Sequence, residues 1–404
     1  MRVYAYVRTM GDCRLNDTSA AWEASVARAG PARGRLLYVV TEDWYFWSHR
    51  RALAAAAMAA GWQVALATRV SEHHARIAQL GVQVFPVEWD RGGLNPWREL
   101  RTARQLAPVL REFKPDIVHN VALKPILHSV CYARGPAVVN AVTGLGYVFI
   151  EAGEAARARL LRGVVRTVLR RALKRRGAQT VVQNKDDAQL LRNMGVTPRS
   201  MHLIEGVGID LADYVPQPEP PGPVRVALVA RMLWDKGVGE MVEAARLLRA
   251  RGVNVSIELV GGPDPANRAS VTEVQLREWH AAGLVQWSGW VEDVRSVWAR
   301  AHIAALPSYR EGFPKALIEA AACGRALIAT DVPGCRAIVE PGINGELVPR
   351  ADGVALADAI ERLVVNADLR RSYGLAARRS AEQRFSLPVI AAQFGRLYDT
   401  MASQ

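Results

Sequence analysis

Cysteine is scarce in this sequence, and its few thiols are not arranged for metal binding or for a disulfide framework. The 404 residues include four cysteines, with no Cys-x-x-Cys pair and no histidine at metal-ligand spacing. We therefore expect reduced thiols in a cytosolic protein. The length predicts two or three domains with substantial cores.

Long hydrophobic runs are also missing. The longest apolar stretch near the start, residues 53–61, is Ala-rich and much shorter than the roughly 20 residues that span a bilayer. The first residues lack the charged, apolar and small segments of a signal peptide. We expect no transmembrane helix and a cytoplasmic protein, whose membrane contact would be peripheral, on the inner face of the cytoplasmic membrane.

Acidic residues are too few to balance the basic ones, and the formal net charge is +13. This excess predicts acidic partners. Residues 157–176 carry nine Arg or Lys and no acidic residue. On a helix, one face would hold an apolar stripe and another a basic row. The stripe is Leu161, Val164, Val165, Val168 and Ala172, and the row is Arg162, Arg166, Arg170 and Lys174.

Such a helix is typical of proteins that lie on anionic lipid, and we predict that the four basic residues contact a membrane surface. The alternative is a helix packed on the core whose outer face is merely basic and solvated. Nucleic acid is disfavoured as a partner, because no helix-turn-helix, zinc-finger or ribonucleoprotein motif accompanies the charge.

From residue 35 onward, short β-branched runs alternate with helical patterns, and a second such series begins at residue 224. This alternation predicts an α/β protein with two Rossmann-like, doubly wound domains that face a cleft. We place the first domain at 35–215 and the second at 224–385. A proline-rich linker occupies 216–223, a C-terminal helix that crosses back to the first domain occupies 386–404, and residues 1–34 are an unassigned extension.

Two acidic residues flank the start of a predicted helix in the second domain. Glu311 precedes Gly312, Phe313 and Pro314, and Glu319 follows in the second helical turn. Free amides at a helix start favour anionic or hydroxyl-rich ligands. Earlier in this domain, Arg231 and Lys236 follow its first strand and offer a guanidinium fork and a point charge to a diphosphate.

Taken with Val260-Gly261-Gly262-Pro263, Ser288-Gly289-Trp290 and Asp331-Val332-Pro333-Gly334, these features resemble the retaining glycosyltransferases of family 4, which share the GT-B fold. The resemblance implies that Glu311 contacts the donor-sugar hydroxyls and Glu319 the ribose, while Arg231 and Lys236 contact the departing diphosphate. It places Trp290 and Val291 near the nucleobase. The remaining donor-binding residues it implies are Gly261, Gly262, Gly312, Phe313, Pro314 and Lys315.

First-domain motifs resemble a narrower clan of bacterial enzymes that add sugars to undecaprenyl-diphosphate-linked saccharides. They lie at residues 41–50, 118–125 and 139–149. The resemblance implies a nucleotide-diphosphate sugar, with UDP as the expected nucleotide, and a lipid-linked saccharide acceptor. We predict a catalytic role for His119 and acceptor-side roles for His49, Lys124, Thr143 and Gly144. For both histidines a structural hydrogen-bonding role is the alternative.

No Asp-x-Asp motif occurs in the sequence, so the metal clamp of the other major glycosyltransferase fold has no evident ligands. We therefore expect activity without a metal or other cofactor. Two alternatives stay open: a nucleotide-sugar epimerase of the same fold, and a catalytically silent scaffold subunit of a polysaccharide-assembly complex.

Overall fold

The computed structural model describes residues 33–89, 96–131, 135–145, 156–265 and 267–403, except for the side chains of 96, 97, 131 and 156–162. The predicted N-terminal extension therefore lies almost wholly outside the described residues. In the described part of the chain, no helix is long and apolar enough to cross a membrane.

The first half of the chain forms a seven-stranded parallel sheet in the order β3-β2-β1-β4-β5-β6-β7. Its strands are β1 (Gly34–Glu42), β2 (Trp62–Arg69), β3 (Gln83–Pro86), β4 (Ile117–Val121), β5 (Ala137–Val142), β6 (Ala178–Val182) and β7 (Met201–Leu203). Its helices are α1 (Asp43–His49), α2 (Arg51–Ala59), α3 (His74–Gln79), α4 (Pro96–Phe113), α5 (Leu123–His128), α6 (Ala156–Leu173) and α7 (Lys185–Asn193).

The second half forms a six-stranded parallel sheet in the order β10-β9-β8-β11-β12-β13. Its strands are β8 (Val224–Val229), β9 (Val255–Val260), β10 (Gln286–Gly289), β11 (Ile303–Leu306), β12 (Ala326–Thr330) and β13 (Gly345–Val348). The helices are α8 (Val238–Ala250), α9 (Glu273–Ala281), α10 (Arg295–Arg300), α11 (Lys315–Ala322), α12 (Pro333–Arg336), α13 (Gly353–Val365), α14 (Ala367–Ser380) and α15 (Leu387–Ala402).

Both sheets have apolar side chains on both faces, as parallel sheets covered by helices require. In the second sheet, Val226, Leu228 and Ile257 face one apolar cluster, while Ala227 and Ala304 face another. Each sheet reverses its winding between two central strands, β1 and β4 in the first and β8 and β11 in the second. Ligands of doubly wound folds bind at the carboxyl ends of strands at this reversal.

The last helix belongs to the core of the first sheet. Phe394, Leu397 and Tyr398 of α15 are buried in the cluster that contains Tyr38 and Leu53. The prediction that the C-terminal helix crosses back to the first domain is therefore confirmed. The predicted two-domain α/β architecture is confirmed as well.

Candidate active site

A half-buried ion pair lies where the second sheet reverses its winding. Lys236, in the turn after β8, donates from Nζ to Oε1 of Glu311, 2.6 Å away, in the loop after β11. The same oxygen accepts a hydrogen bond of 2.8 Å from the Ser308 hydroxyl. The two charged side chains are only 19% and 12% exposed. Because β8 and β11 are neighbours in the sheet, two residues that lie 75 positions apart in sequence are brought into contact.

Arg231 also follows β8, but its guanidinium turns to a different partner. Its Nη1 donates to Oδ2 of Asp264 over 2.7 Å, and the side chain is 50% exposed. The backbone of Gly261 packs directly against Ala230, and only glycine fits there, since a Cβ at this position would lie 1.8 Å from the carbonyl oxygen of Ala230. Met232 donates its backbone N–H to the carbonyl of Gly262. The loops after β8 and β9 therefore form one surface beside the Lys236–Glu311 pair.

Glu319 is buried within α11, and its carboxylate is already held in place. Its Oε1 accepts a hydrogen bond of 2.8 Å from the hydroxyl of Tyr214 and one from Nζ of Lys315. Burial and the adjacent carboxylate raise the pKa of Tyr214, so this hydroxyl stays a donor. All of these contacts use Oε1, which leaves Oε2 for a second partner. The sequence did not indicate Tyr214 as a partner of this carboxylate.

The helix start at α11 agrees with the sequence pattern. Pro314 precedes the helix with extended dihedral angles, and Lys315 is its first residue. Trp290 lies just after β10 and is 75% exposed, while Val291 packs against the apolar cluster under α11. An exposed indole beside the ends of β9 and β10 suits stacking on a planar ring.

The first domain contacts the Glu311 loop directly. Gly312 lies against the turn after β5, where a Cβ on Gly312 would be 1.9 Å from the carbonyl oxygen of Thr143. Asn184, after β6, donates from Nδ2 to the carbonyl of Gly312 over 2.9 Å. The structure thus brings the predicted acceptor-side residues Thr143 and Gly144 to the Glu311 loop. Asn184 was not predicted from the sequence, since its pattern reads only as a helix cap.

His49 lies at the end of α1, where it faces the start of α11. Its ring stacks on Tyr45 with centroids 4.3 Å apart, and Nδ1 lies 2.6 Å from the Ser48 hydroxyl. Burial, reinforced by the positive charges of Lys315 and Arg50, lowers the pKa of His49 to about 3. A neutral imidazole is therefore present at this side of the cleft throughout the physiological pH range.

His119 does not reach the cleft, and its predicted catalytic role is not supported by its position. The side chain is fully buried on β4. Its Nδ1 hydrogen bonds with the Tyr398 hydroxyl at 2.7 Å, and its ring stacks on Phe394 of α15. Burial lowers its pKa well below the usual range. The structural alternative therefore describes His119, which links the first sheet to the C-terminal helix.

Lys124 lies on α5, at the carboxyl end of β4, and pairs with Glu99. Its Nζ donates to Oε1 of Glu99 over 3.0 Å, and Nε2 of His128 lies 2.8 Å from the other carboxylate oxygen. The structure therefore places this predicted acceptor-side residue at the carboxyl end of a central strand of the first sheet. This ion pair joins α5 to α4, so it lies within the first domain.

The basic helix α6 differs from the amphipathic lipid-facing helix that the pattern predicts. Val165, Leu169 and Ala172 are buried, with Leu169 and Ala172 in an apolar cluster of the first domain, and Val164 is exposed. The apolar stripe is therefore not a lipid-binding face, because much of it packs in the core. Arg166, Arg170 and Lys174 are exposed, while the side chain of Arg162 lies outside the described residues.

Comparisons with known proteins agree with this geometry. The family model "Glycosyl transferase 4-like" matches residues 35–183, and "Glycosyl transferases group 1" matches residues 223–366. A Campylobacter jejuni enzyme, N,N'-diacetylbacillosaminyl-diphospho-undecaprenol alpha-1,3-N-acetylgalactosaminyltransferase, is 28% identical over 345 residues, which are 81% of this chain and 88% of the relative.

Solved structures share the fold. Sucrose-phosphate synthase from Thermosynechococcus elongatus superposes with a TM-score of 0.77 at 22% identity and covers 92% of this chain and 99% of its own. Anabaena HepE in complex with UDP superposes with a TM-score of 0.72 at 16% identity, with 91% of this chain and 100% of its own covered. With both halves matched by transferase models and the whole by GT-B structures, this chain belongs to the glycosyltransferases, as a hexosyltransferase built from a 4-like and a group 1 domain.

Proposed function

We propose that this enzyme transfers a hexose or N-acetylhexosamine from a UDP-sugar to an undecaprenyl-diphosphate-linked saccharide in bacterial glycan assembly. The observation that carries the donor half is the Lys236–Glu311 pair at the reversal point of the second sheet. The acceptor half rests on the similarity, across 81% of the chain, to a transferase whose name specifies an undecaprenol-linked substrate. The two domain models and the Campylobacter relative give no support to the epimerase alternative.

The site residues suggest how the bond to the leaving group is broken. As the bond between the anomeric carbon and the phosphate oxygen breaks, negative charge grows on the diphosphate, where Lys236, Arg231 and the first amides of α11 stabilise it. Glu311 orients the sugar hydroxyls, and Oε2 of Glu319 accepts from the ribose. The acceptor oxygen forms the new bond on the same face, and its proton passes to the departing phosphate, which gives retention.

We further propose that this chemistry needs no metal ion. In this proposal, the cationic side chains near the Glu311 loop take the role that a divalent cation has toward a diphosphate. In the described ranges, no group of three or more His, Cys, Asp or Glu side chains is arranged to hold a metal ion. Activity in a chelator decides this point.

The proposed function is tested by nucleotide release from UDP-GlcNAc, UDP-GalNAc, UDP-glucose and GDP-mannose, with and without an undecaprenyl-diphosphate-linked sugar, in EDTA. We expect release from one UDP-sugar that depends on the acceptor, with the anomeric configuration retained. Glu311→Ala is expected to lower this rate by about 10²- to 10³-fold, as loss of a preorganised polar group does elsewhere.

Glu273→Ala is the matched control, because this carboxylate is exposed on α9 and forms a surface ion pair with Arg277 one helical turn later. It should keep wild-type activity. Sugar isomerised without an acceptor would instead identify an epimerase. UDP binding without turnover on any pairing would contradict the proposed substrates and leave a different acceptor or a silent scaffold to be separated. Activity only after metal is restored would refute the metal-free mechanism.

For the membrane, we propose electrostatic attraction without insertion. The exposed basic residues of α6 and its end follow one another at four-residue spacing, while the apolar residues beneath them pack in the first domain. Each basic residue near an anionic surface contributes about 1 kcal/mol. Binding to phosphatidylglycerol vesicles should weaken steeply with salt and be lost in a triple Arg166→Glu, Arg170→Glu, Lys174→Glu variant. Salt-resistant binding, or equal binding by the variant, would contradict this.

A further inference from the structure

Three neighbouring strands of the first sheet end against the loop that carries Glu311. The turn after β5 contacts Gly312 through Thr143, and Asn184 follows β6. Beyond β7, Gly206 lies against the ring of Phe313, where an added Cβ would be 3.0 Å from Cε1. The Glu311 loop therefore belongs to the second sheet by sequence but is packed against the first sheet.

Asn184 makes the hydrogen bond across this junction, and it is 1% exposed. Its Oδ1 accepts from the backbone N–H of Asp187 over 2.7 Å, which caps the start of α7. Its Nδ2 donates to Oδ2 of Asp187 and to the carbonyl of Gly312, each over 2.9 Å. One side chain thus caps a helix in one domain and binds the backbone of the other.

The Gly312 backbone has little freedom to move away from this contact. Thr143 closes one side of it, and a Cβ at Gly334 would lie 2.6 Å from the carbonyl atoms of Gly312 on another. Gly334 also donates its N–H to the carbonyl of Glu311. A hydrogen bond that holds the Gly312 carbonyl therefore restrains the backbone directly after Glu311, whose carboxylate is bound by Lys236 and Ser308.

We propose that Asn184 is a positioning residue for the donor sugar: its amide holds the Gly312 carbonyl, so that Glu311 is correctly placed only when the two domains are closed on each other. This inference rests on the proposed function, because it assigns Glu311 to the sugar. Nucleotide binding, which depends on Glu319 and the end of β10, does not need this contact.

Charges on α7 support the same docking at its periphery. Asp186 pairs with Arg336 of α12 over 3.0 Å, with both side chains 44% exposed. An exposed pair of this kind contributes little to stability. The buried hydrogen bond from Asn184 therefore sets the geometry, and the outer pair adds only orientation.

The cap and the interdomain hydrogen bond can be separated by substitution. Asn184→Ser and Asn184→Asp both keep a capping oxygen for the Asp187 N–H. Both remove the amide N–H groups that donate to the Gly312 carbonyl and to Oδ2 of Asp187, and the shorter serine hydroxyl is already used by the cap. Asn366→Ser is the matched control, since Asn366 caps α14 through the backbone N–H of Leu369 at an exposed position of the second domain. Agreement between the serine and aspartate variants excludes a small cavity or a new charge as the cause.

We expect both Asn184 variants to lower kcat/KM for the UDP-sugar by about ten-fold. This is the effect expected when a partly buried carbonyl, here that of Gly312, loses a neutral hydrogen-bond donor. Affinity for UDP alone should stay within about two-fold of wild type. Hydrogen exchange of the peptide that spans 307–318 should be faster in both variants with UDP bound, and unchanged in Asn366→Ser.

Three results would overturn the inference: wild-type kinetics in both Asn184 variants, an equal loss of UDP affinity, or an equal change in Asn366→Ser. Absence of acceptor-dependent transfer by the wild-type enzyme would instead refute the proposed function. The binding and exchange measurements then still decide the role of Asn184, because neither needs turnover.

Discussion

The two sheets share the order of their first six strands but differ in the residues that lie on and after their central strands. After β8 and β11 of the second sheet, Lys236 and Glu311 form a charge pair that is partly open to solvent. On β1 and β4 of the first sheet, Tyr38 and His119 face a buried cluster that Tyr398 of the last helix closes. Residues near the same topological point line the proposed active site in the second sheet, whereas in the first sheet a helix covers them and they pack in the core.

This difference follows from the path of the chain after the second domain. Residues 381–385 form a π-helical turn, and Ile209 pairs with Ser386 in an isolated bridge that joins the two halves. The helix α15 then lies over the first sheet and buries Phe394 and Tyr398 there. The Lys236 side chain, by contrast, remains 19% exposed, and we propose that its charge is kept there for a ligand.

Removing the charge of the Lys236–Glu311 pair in the second sheet should have the largest effect on activity. Lys236→Met removes the cation next to Glu311 and leaves that carboxylate without its closest partner. We expect kcat/KM for the UDP-sugar to fall by about 10²- to 10³-fold, as for other donors that stabilise developing negative charge. The measurement is initial-rate kinetics with the acceptor present, after thermal unfolding has shown that the variant is folded.

Arg251→Met is the control for this change, because Arg251 pairs with Asp358 and Glu361 on the surface of the same domain. It should retain wild-type kinetics. A kcat/KM of Lys236→Met within about two-fold of the wild-type value would mean that the charge pair has no role in catalysis. It would then resemble a surface ion pair, which contributes little energy. The contrast between the two sheets would then fail.

Much of the fold was predictable from the sequence because it depends on local periodicity. The predicted alternation of β-branched runs and helical patterns, from residue 35 and again from residue 224, matches the alternating strands and helices of the two sheets. The start of α11 was signalled by Pro314 and the acidic motif. Such features need only a few neighbouring residues, so a single sequence contains them.

Contacts between distant residues were not predictable in the same way. The hydrogen bonds from Asn184 to Gly312 and from Tyr214 to Glu319 join positions 128 and 105 residues apart. The histidine of β4 was assigned to catalysis because its motif matched, whereas its burial depends on a helix 279 residues later. The apolar stripe of α6 is a similar case. Only the packing partners of this helix show that much of the stripe faces the protein core and not lipid.

Substitution of the neutral His119 in the first sheet should change the stability of the protein rather than its reaction rate. The pKa of His119 is lowered well below 6.5 by burial, so the folded protein keeps this ring neutral while the unfolded chain takes up a proton. Protons therefore favour the unfolded state as pH falls below about 6.5. Between about pH 7.5 and 5.5, this single group should lower the free energy of unfolding by about 1.4 kcal/mol.

His119→Gln removes that contribution, and urea unfolding at the two pH values measures it. We expect the variant to be less stable than wild type at about pH 7.5, because the hydrogen bond to Tyr398 is disturbed, but to lose less stability on acidification. His74→Gln, at an exposed position on α3, should show the wild-type pH dependence. An unchanged pH dependence in His119→Gln would show that the ring takes up a proton in the folded state. A loss of activity in His119→Gln as large as that of Lys236→Met would support the catalytic role predicted for His119.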